Sequence, residues 1–202
     1  MSQERFPDEN WPLMPEFRSK TLIALGANLR STAGTPAQSL VFAIKRLSGS
    51  LGVIRATSRF FTTPCFPAGA GPDYVNAAIE IDTRLPPAQI LAALHQTEAD
   101  LGRERVQRWG MRTLDLDLVA HGDAVLPDVR TQTGWRDIGL EDQKLRAPDE
   151  LILPHPRIQD RAFVLVPLAD IAPDWCHPVL GRTILQMCRD LPVPDKQAVV
   201  PL

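Results

Sequence analysis

The 202-residue chain is long enough for one well-formed core and short for two, and its formal net charge of −2 argues against a general nucleic-acid binder, which needs surplus Lys and Arg to neutralise phosphates. No apolar run is long enough to cross a bilayer and the first twenty residues lack the apolar centre of a signal peptide, so a cytoplasmic protein with no membrane partner is expected. Cys65, Cys176 and Cys188 are odd in number and lack C-x-x-C spacing, which predicts free thiols.

Residues 1–18 place Pro7, Pro12 and Pro15 among charges, a composition that buries little, and are expected to form a flexible tail before a single domain over 19–202. Thr21, Leu22, Ile23, Ala24 and Leu25 form a compact apolar run stopped by Gly26, which predicts a buried strand leaving into a loop. Thr35 before Pro36 signals a helix start, Leu40, Val41, Ile44 and Leu47 recur at helical spacing, and Gly49 closes the run. Residues 53–61 are rich in β-branched and aromatic side chains. Val75, Ala77, Ile79 and Ile81 then alternate with Asn76, Ala78, Glu80 and Asp82, so these segments predict strands two and three. Pro86 and Pro87 open a second helix, with Ile90, Leu91, Leu94 and Leu101 on one face, that ends at Gly102. Leu114, Leu116 and Leu118 alternate with Asp115 and Asp117 as strand four. The order β-α-β-β-α-β predicts an α+β ferredoxin-like plait, a four-stranded antiparallel sheet with both helices on one face. Residues 128–149 are polar without periodicity and read as an insertion or long loop. Residues 162–171 and 183–191 predict extra C-terminal helices against the sheet edge or the other helices.

Alternation puts Asp115 and Asp117 on one face of their strand, a carboxylate pair suited to Mg²⁺, which takes few protein carboxylates and fills its remaining positions with water and phosphate. An isolated D-x-D is more often a pair of ordinary surface acids. Here it follows a stretch over 102–112 with four arginines, Arg103, Arg105, Arg108 and Arg112, and Trp109. Forked guanidinium groups suit phosphate oxygens, and an aromatic plane can cover a flat ring, so the loop reads as a triphosphate clamp. Glu98 falls on the apolar side of the second helix, where a carboxylate needs a partner, and an arginine of the following loop is the expected one; a helix-edge Glu reaching solvent is the equal alternative. Tyr74 and Asn76 share a strand face, and an Asn amide can both donate and accept toward a heterocycle. Thr63, Pro64, Cys65 and Phe66 precede a Gly/Pro-rich loop and could add a second wall. His155, between two prolines, and Arg161 could reach the same anion, although a lone His is more often structural. No P-loop, G-x-G-x-x-G fingerprint or Ser/His/Asp order is present.

Taken together, these residues resemble the 6-hydroxymethyl-7,8-dihydropterin pyrophosphokinase family. The resemblance is carried most specifically by Leu101-Gly102-Arg103 through Arg108-Trp109-Gly110-Met111-Arg112-Thr113-Leu114-Asp115-Leu116-Asp117. Support comes from Leu25-Gly26-Ala27-Asn28-Leu29, Pro72-Asp73-Tyr74-Val75-Asn76-Ala77, Leu153-Pro154-His155-Pro156 and Arg161-Ala162-Phe163-Val164-Leu165. It implies transfer of the β,γ-diphosphate of ATP to the pterin hydroxymethyl oxygen, with release of AMP, in folate biosynthesis. It further implies two Mg²⁺ ions on Asp115 and Asp117, and catalytic roles for these and for Arg103 and Arg112. ATP would be held by Arg103, Arg105, Trp109, Arg112, His155 and Arg161. The pterin would meet Thr63, Pro64, Phe66, Tyr74, Asn76, Trp109 and Phe163, with Glu98 in support. The partners expected are these small molecules alone, the chain acting as a monomer. Ala27 stands where the family usually has Ser and Met111 where it usually has Pro; residues 1–18 and 128–149 lie outside the common pattern. The competing readings are another Mg²⁺-dependent nucleotidyl- or phosphotransferase and a non-catalytic RNA-binding plait, the latter disfavoured by acids on strand four and a negative net charge.

Overall fold

Strand β1 (Ser19–Ala27) runs through the sheet with Leu22, Ile23, Ala24, Leu25 and Ala27 all buried, so its middle is covered on both faces. It continues through Gly26 rather than stopping there. The computed structural model describes residues 19–65, 69, 71–102, 112–139, 142 and 146–202. The expected tail over 1–18, Phe66, and Arg103, Arg105, Arg108 and Trp109 of the arginine-tryptophan loop lie outside the described residues.

The other strands are β2 (Val53–Thr57), β3 (Phe61–Thr63), β4 (Tyr74–Thr83) and β5 (Asp115–His121), then a small hairpin of β6 (Cys176–His177) and β7 (Arg182–Thr183), and β8 (Val200–Pro201). The main sheet is antiparallel in the order β5-β1-β4-β3-β8, with β2 also paired to β4. The single strand expected over 53–61 is therefore two pieces laid along one neighbour. The break falls at Ser58, whose N–H donates to Ala78 O and whose Oγ accepts from Ala78 N–H, each at 2.9 Å.

Helix α1 (Pro36–Ser50) starts at a capping box formed by Thr35 and Gln38. Its buried stripe is Leu40, Ala43 and Leu47. Val41, expected on that stripe, is 42% exposed because each residue turns about 100° and it lies a full step round from Leu40. Gly49 sits within the helix, which ends at Ser50. Helix α2 (Pro87–Asp100) buries Ile90, Leu94, Thr97 and Glu98, and Gly102 takes the left-handed conformation beyond it. Both helices pack on the sheet face presented by Ile23, Leu25, Val75, Ala77, Ile79, Ile81, Leu114, Leu116 and Leu118. This is the expected ferredoxin-like βαββαβ plait.

Helical segments beyond the expected two follow. Helix α3 (Val129–Arg136) lies in the stretch read as irregular; Asp128 caps it by accepting from Thr131 N–H, and its one buried side chain is the polar Gln132, so no apolar stripe announces it. A 3-10 turn (Ile158–Asp160) leads into α4 (Ala162–Ile171), and α5 (Ile184–Asp190) and α6 (Val193–Gln197) follow.

Helices α4 and α5 cover the second face of the sheet rather than its edge or the other helices. Val164, Leu165 and Leu168 of α4 with Ile184 and Met187 of α5 pack on Leu22, Ala24, Phe61, Ala78 and Val119. A helix this apolar must bury more than one side, and the sheet face is the largest apolar surface left. Asn76, Ala78 and Glu80 are consequently buried as well, Glu80 paired with Lys20 at 3.1 Å. Arg59 forks onto both oxygens of Asp170 at 2.9 and 2.8 Å and ties α4 to the β2–β3 break.

Candidate active site

The strand register sets one row of residues across the sheet: Asp115 on β5, Gly26 on β1, Asn76 on β4 and Phe61 on β3. Gly26 has no side chain, so Asp115 and Asn76 stand roughly 10 Å apart, two strand spacings, across an open floor. A Cβ on Gly26 would meet Asn76 Oδ1 at 3.1 Å and Tyr74 Cδ1 at 3.9 Å. Asn76 is 4% exposed and donates from Nδ2 to Thr63 Oγ1 at 2.8 Å, which aims its Oδ1 over Gly26. Tyr74 pairs across the ladder with Thr63 and is half-buried. Burial raises its phenol pKa, with Arg112 opposing and Asp115 reinforcing, so Tyr74 faces the carboxylate end of the row and stays neutral.

Asp115 and Asp117 are on the side of β5 opposite Leu116 and Leu118, as the alternation predicts. Each meets a different arginine. Arg112 Nη1 pairs with Asp115 Oδ1, and Arg161 Nη1 stands 3.5 Å from Asp117 Oδ2. Burial works against the Arg112 charge, but Asp115 and Asp117 outweigh it and its pKa is raised. Arg161 is lowered, first by burial and then by Arg157, against the pull of Asp117 and Asp115. Both remain cations, because guanidinium groups do not deprotonate in proteins. The Arg161 guanidinium also lies 5.7 Å over the ring of the exposed Phe163.

His155 completes this end. Its N–H donates to Val119 O at 2.8 Å and its Nδ1 accepts from Arg157 N–H at 3.1 Å. Burial, then Arg161 and Arg157, hold its pKa down to about 3. It is neutral at physiological pH, with Nδ1 occupied as acceptor and the proton on Nε2. Asp117, Val119, His155, Ile158, Arg161 and Val164 line one recess. Among the described residues, then, the structure brings together Asp115, Asp117, Arg112, His155 and Arg161, and sets Thr63, Tyr74 and Asn76 along the same sheet face.

Glu98 is 1% exposed and accepts from Leu116 N–H at 2.8 Å, binding α2 to the strand of the two aspartates. The expected partner was an arginine of the following loop: Arg112 pairs with Asp115, and Arg103, Arg105 and Arg108 lie outside the described residues. The backbone N–H is the contact the sequence did not suggest, since no side-chain pattern encodes it.

Two further residues build the site without having been singled out for it. Gly26 opens the floor. Asn28, 3% exposed, joins both loops: its Oδ1 accepts from Arg112 N–H at 2.7 Å, its Nδ2 donates to Pro72 O at 3.1 Å, and its own N–H donates to Arg112 O at 3.0 Å. The available signal was the Gly26-Ala27-Asn28 sequence directly after an apolar strand, where a buried Asn needs partners.

The sequence model of the 7,8-dihydro-6-hydroxymethylpterin-pyrophosphokinase (HPPK) family matches residues 22–173. A protein of Synechocystis sp. named 2-amino-4-hydroxy-6-hydroxymethyldihydropteridine pyrophosphokinase is 35% identical over 189 residues, covering 93% of this chain and 83% of its own. One of the same name from Haemophilus influenzae is 35% identical over 158 residues, covering 77% of this chain and 83% of its own. The crystal structure of wild-type HPPK-DHPS from Plasmodium falciparum superimposes with a TM-score of 0.61 at 14% identity, over 86% of this chain and 44% of that one. That likeness concerns the fold, and the chain spans less than half the length of the HPPK-DHPS protein.

Proposed function

Because the chain belongs to the 7,8-dihydro-6-hydroxymethylpterin-pyrophosphokinase family, we propose that Asp115 and Asp117 hold the divalent cation of its reaction, with the nucleotide on the Arg161 side and the pterin on the Asn76 side. The reaction is pyrophosphoryl transfer from ATP to the hydroxymethyl group of hydroxymethyldihydropterin, a step in folate biosynthesis. The observation that carries the residue assignment is the row Asp115, Gly26, Asn76: carboxylates and cations at one end, a neutral heterocycle reader at the other, with an open floor between.

Two carboxylates on one strand face fit Mg²⁺ as a donor set, being hard oxygen ligands in the small number that ion takes from protein. Two ions bound there would neutralise phosphate charge when ATP is present. The chain's own groups do the rest. Arg112 and Arg161 flank the carboxylates, so a triphosphate entering between them meets fixed positive charge instead of water. Neutral His155 offers an Nε2–H donor to phosphate oxygen without adding charge. Arg103, Arg105 and Trp109 belong to the same clamp in this reading, closing from the loop over 103–111.

On the pterin side, Asn76 Oδ1 accepts from a ring N–H while Thr63 fixes the amide, and Tyr74 and Phe163 cover the ring faces. Pro64, Phe66 and Trp109 close around it. No side chain becomes covalent, so the acceleration comes from alignment of the hydroxymethyl oxygen with the β-phosphorus and from electrostatic stabilisation. The chain works as a monomer in this scheme, since every assigned group lies on one chain.

The test is Asp117→Asn with product analysis in Mg²⁺ and both substrates. Turnover should fall by roughly 10²-fold or more, as when a preorganised electrostatic contact is lost, and wild type should release AMP. Wild-type release of ADP, or an unaffected Asp117→Asn enzyme, would overturn the assignment.

A further inference from the structure

Leu126 and Leu153 exchange both backbone hydrogen bonds, at 2.8 and 3.1 Å, and so close the neck of an excursion from the plait. Inside this excursion α3 presents one fully enclosed side chain, Gln132. A buried amide is costly unless it is hydrogen-bonded. Gln132 Nε2 donates to Pro154 O at 3.3 Å. The N–H of that same peptide unit, belonging to His155, donates to Val119 O on β5 at 2.8 Å.

A peptide unit is planar, so one bond at its oxygen and another at its nitrogen fix both its place and its rotation. The Cα of His155 is thereby set relative to the strand of the aspartates, and the Arg157 N–H bond to Nδ1 sets its ring. Of these three restraints only the first comes from outside the strand and the loop that carry the site.

We propose that Gln132 is a positioning residue for His155: the segment outside the common family pattern serves as a brace that orients the nucleotide side of the site. The inference rests on the reading of His155 as a phosphate contact. A purely packing role is a poor account of Gln132. Its Oε1 has no hydrogen-bond partner among the described residues, so an unbranched apolar side chain of equal length would pack as well without leaving a buried acceptor unsatisfied. What such a side chain lacks is the donor to Pro154 O.

Gln132→Met tests this, with Gln132→Leu as a second shape should methionine fit badly and His155→Ala as reference. With the whole enzyme, the KM for ATP should rise by about 3- to 10-fold, the range for losing one neutral hydrogen bond. The KM for the pterin should be unchanged, and the His155 ring resonances should shift in NMR spectra of the ligand-free protein. Wild-type ATP KM with unmoved His155 resonances, or equal losses for both substrates, would overturn the brace. If His155→Ala leaves the ATP KM unchanged, the nucleotide reading of His155 falls, while shifted resonances in Gln132→Met would still support the positioning.

Discussion

Asn28→Ala removes a side chain that touches both loops bordering the site. Two hydrogen bonds are lost, from Arg112 N–H and to Pro72 O, at 2.7 and 3.1 Å, in a position 3% exposed. A buried polar group left without its partner costs about 1–3 kcal/mol, so the pair is worth about 2–4 kcal/mol after partial rehydration near the loops. For a chain of this length about 2–4 °C is lost per kcal/mol, which gives a fall in Tm of about 5–15 °C. The catalytic effect should exceed the stability effect. Arg112 both continues the clamped backbone and pairs with Asp115, and a misplacement near 1 Å can cost about 10²-fold. Calorimetric unfolding and steady-state kinetics on both substrates are the assays. Asn28→Asp separates the two contacts: the acceptor for Arg112 N–H is kept, while a carboxylate oxygen replaces the donor facing Pro72 O. It should therefore harm the pterin KM more than the ATP KM. A Tm within about 2 °C of wild type, together with unchanged kcat/KM for Asn28→Ala, would refute the clamp.

Gly26→Ala should raise the pterin KM with little effect on ATP, because the new Cβ lies 3.1 Å from Asn76 Oδ1 and displaces that amide, which Thr63 holds, by a few tenths of an ångström; equal effects on both substrates would contradict the floor. His155 sets a pH dependence of stability. Its folded pKa of about 3 lies below the ordinary His value, so the unfolded chain takes up the proton first, and the stability present above pH 6.5 is lost as pH falls toward 3. Urea midpoints of ligand-free wild type and His155→Gln between pH 7 and 4 should converge as pH drops; parallel curves would count against a neutral, desolvated His155. Asp117→Asn, whose turnover should collapse, should keep a cooperative unfolding transition, readable by circular dichroism.

The plait was legible because its signals are local. Thr35 with Pro36, the Pro86-Pro87 start, and alternating Leu114, Leu116 and Leu118 each report a cap or a period without needing the rest of the chain. Asp115, Asp117, Tyr74 and Asn76 were legible for the same reason, since alternation fixes their faces. What the sequence concealed depends on contacts between distant segments. The second face of β4 is buried because α4 arrives from residues far downstream, and alternation at Asn76, Ala78 and Glu80 does not say what covers that face. Helix α3 was hidden because it docks through the amide of Gln132 rather than an apolar stripe. The Asn28 bridge joins positions 44 and 84 residues away, to Pro72 and Arg112, and no spacing rule reaches so far.

Among the described residues, the strand carrying the two aspartates ends the sheet, with β1 on one side. Such a margin is a template on which a second chain could add. Two groups assigned to the site also shield this border: the Glu98 carboxylate takes the Leu116 amide, and the His155 amide takes the Val119 carbonyl. Residues placed at the site thus also occupy the hydrogen-bonding groups of this border. A Glu98→Ala enzyme would bare the Leu116 amide and invite intermolecular strand addition, whereas Glu98→Gln keeps an acceptor oxygen there. Loss of activity in the alanine form is therefore interpretable only alongside its sedimentation behaviour, and glutamine is the cleaner probe of the charge.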